Sequence, residues 1–143
     1  MRARCLIPLA LLALLALPRP AAASVALGLG ADWIEGNHGG LNLTLNVDNH
    51  LARYLSVGGR AGAAFFEHDS RIVVPLDLRL GLHIQRVYFE GLVGPWMQFD
   101  SDDHFHFHVA FGFGLESRSL AGGLEVGRLD HAAMVGLRLA LKL

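Results

Sequence analysis

With 143 residues and 12 Lys and Arg set against 13 Asp and Glu, the chain is long enough for one domain and lacks the basic excess that nucleic acid demands. Hydrophobic residues make up 52% of it. Yet beyond residue 24 no apolar run is long enough to cross a membrane as a helix, so a spanning structure there has to be a closed barrel.

Arg2 and Arg4 stand ahead of an apolar run from Leu6 to Leu17, and Ala21-Ala22-Ala23 supplies small residues for cleavage. This reads as a secretory signal over 1–23, followed by one domain over 24–143. Without Arg2, Arg4 and Arg19, nine basic residues face thirteen acidic ones, a net charge of about -4. The single cysteine, Cys5, lies inside the signal, so the domain is expected to have neither a disulfide framework nor a lipid-modified start.

Eight alternating stretches follow, separated by turn chemistry. In the first, Val25, Leu27, Leu29, Ala31 and Trp33 share a face. The second sets Leu41, Leu43, Leu45 and Val47 against Asn42, Thr44, Asn46 and Asp48, with a turn expected at Asp48-Asn49. The third opposes Val57, Ala61, Ala63 and Phe65 to Ser56, Gly58, Arg60 and Gly62. The fourth opposes Ile72, Val74, Leu76, Leu78, Leu80 and Leu82 to Pro75, Asp77, Arg79 and His83. Pro75, like Pro95 in the fifth stretch, cannot donate to a ladder. That fifth stretch sets Val87, Phe89, Val93 and Met97 against Tyr88, Glu90, Gly94 and Trp96. The sixth, His104 to Leu115, places Phe105, Phe107, Val109, Phe111, Phe113 and Leu115 on one side and His104, His106, His108, Ala110, Gly112 and Gly114 on the other. In the seventh, Leu120, Leu124 and Val126 oppose Ala121, Gly123 and Glu125. In the eighth, Val135, Leu137, Leu139 and Leu141 oppose Met134, Gly136, Arg138 and Lys142.

Which face looks inward decides the class. A soluble barrel buries its apolar face and covers the other with Lys, Glu and Thr. Here the domain has one lysine, and the polar face is mostly Gly, Ala, Ser and Asn with isolated charges, the filling of a narrow eight-stranded lumen. No charge interrupts the apolar face in mid-strand, where Arg or Lys facing lipid costs roughly 2 to 4 kcal/mol. Counting outward from hairpin centres gives a second test. A centre at His68-Asp69 sets Arg60 opposite Asp77, one at Ile84-Gln85 sets Arg79 opposite Glu90, and one at His131-Ala132 sets Glu125 opposite Arg138. All six lie on the face assigned inward, where pairing is needed.

The signal, the eight amphipathic strands, the short turns alternating with somewhat longer loops and the charge-paired interior together resemble the small outer-membrane β-barrels of the OmpA and OmpX type. The resemblance is one of pattern across residues 24–143. It implies an all-β, eight-stranded, antiparallel up-and-down transmembrane barrel in a bacterial outer membrane, with both chain ends periplasmic. It implies outer-membrane lipid and lipopolysaccharide as surroundings, the barrel assembly machinery as a partner in biogenesis, and a monomer. One departure stands out: such barrels commonly end in an aromatic residue, whereas this chain ends Leu141-Lys142-Leu143.

In that topology the loops around His38, His68, Asp102 and His131 lie outside the cell. His104, His106 and His108 would stack along one lumen edge below Asp102 and Asp103, and with His68 they are the candidate ligands for a divalent metal at this rim. His68-Asp69-Ser70 sets a base and a nucleophile two residues apart, an arrangement similar to the His-x-Ser of a lipid A deacylase, but the surrounding motif is missing. The expectation is therefore a non-enzymatic barrel with a plugged polar lumen, no cofactor, and a structural or surface-interaction role. Its rivals are a metal-binding rim and a lipid-modifying enzyme.

Overall fold

A computed structural model describes residues 23–36, 38–67, 71–99 and 101–143. The eight alternating stretches become eight strands: β1 Ala23–Ile34, β2 His38–His50, β3 Leu55–Phe66, β4 Arg71–Ile84, β5 Val87–Gln98, β6 Phe105–Glu116, β7 Leu120–Leu129 and β8 Ala132–Lys142. Each pairs antiparallel with its neighbours in sequence, and β1 pairs with β8 from Ala26↔Lys142 to Ile34↔Met134, so the sheet closes into a barrel without edges. The expected signal falls on residues outside those described, apart from Ala23, the first residue of β1.

Period two fixes which side chains enter the barrel. Along β4, Asp77 is buried at 4% exposure, while Leu78 on the other face is 60% exposed. The same contrast holds between Glu125 and Leu124, and between His108 and Phe107. Most leucines, valines and phenylalanines of the strands point outward and most polar or small residues inward; Val73, Leu92 and Phe66 are inward exceptions.

The turns correct the expected register. Asp48-Asn49 is not a turn: β2 continues to His50, and the reversal falls at 51–54, where Leu51 N donates to Leu55 O at 2.9 Å. Asp48 looks like turn chemistry in sequence, but its carboxylate is held inside the barrel by Arg79 at 2.8 Å. The β4–β5 reversal is Gln85-Arg86, with Gln85 at φ 58°, and the β7–β8 reversal is Asp130-His131, with Asp130 at φ 53°. Both centres lie one residue from those counted in the sequence, which moves pairing by two. Arg79 therefore faces Leu92 while Glu90 faces Gly81, and Arg138 faces Gly123 while Glu125 faces Gly136. A shift of two keeps every side chain on its face, and the charged pairs meet diagonally. Arg60 does stand opposite Asp77.

Both prolines sit within strands and open the ladder on one side only. The β3–β4 pairing breaks between Ala61↔Leu76 and Ala64↔Val73, beside Pro75. The β4–β5 pairing breaks between Pro75↔Trp96 and Leu78↔Val93, beside Pro95. There Gly94 lets the two backbones close up: a Cβ on it would run into Leu76 O and lie 2.8 Å from Asp77 Cα. In the half of the lumen near the 35–37, 67–70, 99–104 and 130–131 connections, Trp96, Met134, Val73 and Ala64 pack with Ile34, Phe66 and Leu129. That half is called the rim half below; the other, near both chain ends, is the terminal half.

Candidate functional site: a charge-filled lumen

The middle of the barrel holds one connected polar network to which every strand contributes. Arg60 of β3 binds Asp77 of β4 through Nε at 2.9 Å and Nη2 at 2.6 Å, and reaches Glu125 of β7 through Nη1 at 2.7 Å. Arg138 of β8 grips the same Glu125 with two bonds of 3.0 and 2.9 Å, and its Nη2 lies 2.6 Å from Asp32 Oδ1 of β1. Asn42 of β2 donates to Asp32 Oδ2 at 2.5 Å. His108 of β6 lies with Nδ1 2.8 Å from Asp77, and Trp96 of β5 donates its indole N–H to Asp77 at 3.3 Å. His108 and Glu125 are fully buried, and Arg60 is 5% exposed.

Such a cluster is stable only while complete, because each ion has left water and is repaid by its partners. Two guanidinium groups face three carboxylates. The His108 ring lies between Asp77 and Glu125, its Nε2 3.5 Å from Glu125 Oε1, so a protonated imidazolium would bring the count to zero. The fork of an arginine suits this task better than an ammonium, since it satisfies two carboxylates at fixed angles.

Toward the chain ends the filling changes. Arg79 joins Asp48 at 2.8 Å and Glu90 at 2.5 Å, and a cavity of about 330 Å³ lies among these residues, Thr44, Asn46 and Tyr88. Next to it a chain of bonds runs from Ser56 Oγ to His83 Nε2 at 3.0 Å, from His83 Nδ1 to Glu116 Oε1 at 2.7 Å, and from Lys142 Nζ to Glu116 Oε2 at 2.6 Å. The first three groups have the order of a nucleophile, a base and an orienting carboxylate. Ser56, however, is 2% exposed, and Glu116 is shared with Lys142, so the arrangement ties β3, β4, β6 and β8 together rather than presenting a hydroxyl to substrate.

The candidate metal ligands separate. His104 Nδ1 lies 3.1 Å from Gln98 O, His106 Nδ1 lies 2.6 Å from Asp130, and His108 belongs to the central network. Asp102 and Asp103 are exposed in the 99–104 connection, and His68 lies outside the described residues, as do Asp69 and Ser70. Among the described residues no three His, Cys, Asp or Glu side chains gather closely enough to hold a metal. Burial opposes ionisation of Asp130, but bonds from His106 and from the Phe107 N–H at 2.7 Å outweigh it and hold the carboxyl below its ordinary range.

Four network members, Asp32, Asn42, Trp96 and His108, were not among the paired charges counted in the sequence. Asp32 and Asn42 carry the right signal, lying on the small or polar face of their stretches. Asn42 meets Asp32 diagonally across the β1–β2 hairpin, but the ion partner of Asp32 cannot be found by counting across a hairpin, because Arg138 reaches it over the closing β1–β8 seam.

Apolar residues outside and charges inside, in a closed antiparallel barrel of eight strands, make the fold of a transmembrane barrel. It is the fold of the small outer-membrane barrels of the OmpA and OmpX type. A designed transmembrane β-barrel matches with a TM-score of 0.68 at 13% identity, covering 87% of this chain and 98% of the design. The outer membrane enzyme PagL matches at 0.59 and 11% identity, covering 82% and 98%. Ail, the attachment invasion locus protein of Yersinia pestis, matches at 0.55 and 13%, covering 85% and 97%. These likenesses are of fold, and they include both an enzyme and an attachment protein. No family model matches the chain, and no curated protein matches its sequence.

Proposed function

We propose that the protein is an integral barrel of a bacterial outer membrane, exported by a cleaved signal in residues 1–23, whose lumen is closed to passage and whose role is structural. The observation that carries this reading is the inverted sidedness: Arg60, Asp77 and Glu125 are at most 5% exposed, while Leu78, Leu80 and Leu137 are 60, 53 and 51% exposed. In water that outer surface would be an aggregation liability; in hydrocarbon it is the stable arrangement. Exposed Trp33, Phe65, Phe99 and Phe105 gather at the rim, as aromatic girdles do, and Tyr54 stands at the opposite end.

Two fillings in series support closure. Trp96, Met134 and Phe66 pack the rim half, and the eight-strand network occupies the middle. The rim connections are short, with three, four, six and two residues between strands, against four, two and three at the other end. So little loop offers a partner scant surface, which favours an envelope-stabilising role over adhesion.

Cell fractionation and electrophoresis with and without boiling test the proposal. The protein should enter the outer-membrane fraction and change mobility when boiled, and reconstituted barrels should show no steady ion conductance. Recovery as a soluble periplasmic species would overturn the membrane reading, and a stable conductance would overturn closure. A Leu78→Arg variant should lose about 2 to 4 kcal/mol of stability in vesicles, whereas a water-facing position would be nearly indifferent.

A further inference from the structure

The outer wall of the barrel is not uniformly covered. The outward row of β7 reads Leu120, Gly122, Leu124, Val126, so one position lacks a side chain. Leu115 of β6 and Leu139 of β8 stand opposite Gly122 in the two flanking registers. The result is a groove of about 860 Å³ that begins at the turns 85–86 and 117–119 and runs over Gly122. The two turns are neighbours, since Glu116 N donates to Arg86 O at 2.8 Å.

Charge gathers at the mouth of this groove. Arg86 and Arg118 line it and are exposed. Lys142 also lines it, but its ammonium is held by Glu116. Among the described residues neither Arg86 nor Arg118 has an ion pair or a side-chain hydrogen bond, so two positive charges remain unmatched above an apolar trough. Leu115 and Leu120, at 66 and 43% exposure, form its greasy walls.

We propose that this groove binds a phospholipid with an anionic headgroup, the phosphate held by Arg86 and Arg118 and one acyl chain lying in the trough over Gly122. The assignment rests on the membrane reading above and names which lipid chemistry that reading selects at this point. Guanidinium groups match phosphate oxygens in pairs, and basic residues at a membrane surface favour anionic lipid. The gap at Gly122 adds what charge alone does not provide, a channel shaped for a chain. A Cβ there would meet only Arg138 O and Leu139 Cδ1, both at 3.8 Å, so a larger residue can fill the groove without disturbing the barrel.

The test is native mass spectrometry of barrels released from vesicles holding equal phosphatidylglycerol and phosphatidylcholine. Wild type should retain phosphatidylglycerol by roughly tenfold over phosphatidylcholine. R86Q with R118Q, and separately G122L, should abolish the preference. Arg53→Gln should keep it, because Arg53 sits at another turn, 5.3 Å from the Tyr54 ring, and tests for a general charge effect. Equal retention of both lipids by wild type, or equal loss in the Arg53 variant, would overturn the proposal. Millimolar inorganic phosphate should not displace the lipid; displacement would mean an inorganic anion site instead and would also overturn it. The boiling-dependent mobility shift in pure phosphatidylcholine reports insertion independently, so a barrel that inserts but does not select lipid refutes this inference alone.

Discussion

The two halves of the lumen solve the same filling problem differently. In the rim half, Trp96, Met134, Val73 and Ala64 meet as they would in the core of a soluble protein. In the terminal half, Arg79, Asp48, Glu90, His83 and Glu116 share the space with a cavity of about 330 Å³. Apolar packing fills one end, and charge organises the other. Between them lies the network that uses all eight strands, so the contrast teaches where stability and adaptability sit: toward the rim a change of volume is felt, and toward the chain ends a change of charge.

The largest effect should come from breaking the boundary itself. Arg60→Met takes from buried Asp77 and Glu125 the guanidinium they share, and should remove roughly 3 to 5 kcal/mol or prevent folding, read from urea unfolding in vesicles. A matched pair of substitutions sharpens the comparison next. Ala64→Leu forces extra methyl groups against Trp96 and Val73 and should cost about 1 to 3 kcal/mol, whereas Ala140→Leu, which enters the cavity, should cost less than about 1 kcal/mol. Equal costs would erase the distinction between the halves. Arg79→Gln should fall in between or just below, about 1 to 2 kcal/mol, because Asp48 remains part-exposed and can regain water.

The smallest effect is outside both halves, at the Asp130 turn. Its carboxyl is held below its ordinary range in the folded barrel, so its contribution to stability is fully present above the unfolded value of about 4 and fades as pH falls through the lower folded value. Wild type should therefore lose its advantage over Asp130→Asn only below about pH 4, and only slightly, since the side chain is 38% exposed. Paired unfolding curves at pH 7 and pH 3 would show it, and a gap that widened toward acid would contradict the assignment.

What could be read from the residues divides along the same physical lines. Alternation is local, so Leu76, Leu78 and Leu80 against Asp77 and Arg79 declare their faces without any knowledge of neighbours. Turn placement is less legible, because Asp48 and Asn49 have the composition of a turn while Asp48 serves as an ion partner in the lumen, and Gln85 enters a positive φ with nothing in its side chain to announce it. Least legible are contacts across the hollow. Arg60 and Glu125 are 65 residues apart and meet only because the sheet has curled shut, and no count from a hairpin reaches such a pair.

The participation of every strand in one network has a consequence for assembly. A half-built sheet of β1 to β4 would hold Asp32, Arg60 and Asp77, but not the Glu125, Arg138 and His108 that complete their neutralisation. Such a fragment would expose bare ions to lipid on its open side. Insertion should therefore proceed as one concerted event, with the joining of β1 to β8 as the step that commits it, and a chain cut short before Arg138 should stall at the membrane surface instead of entering partway.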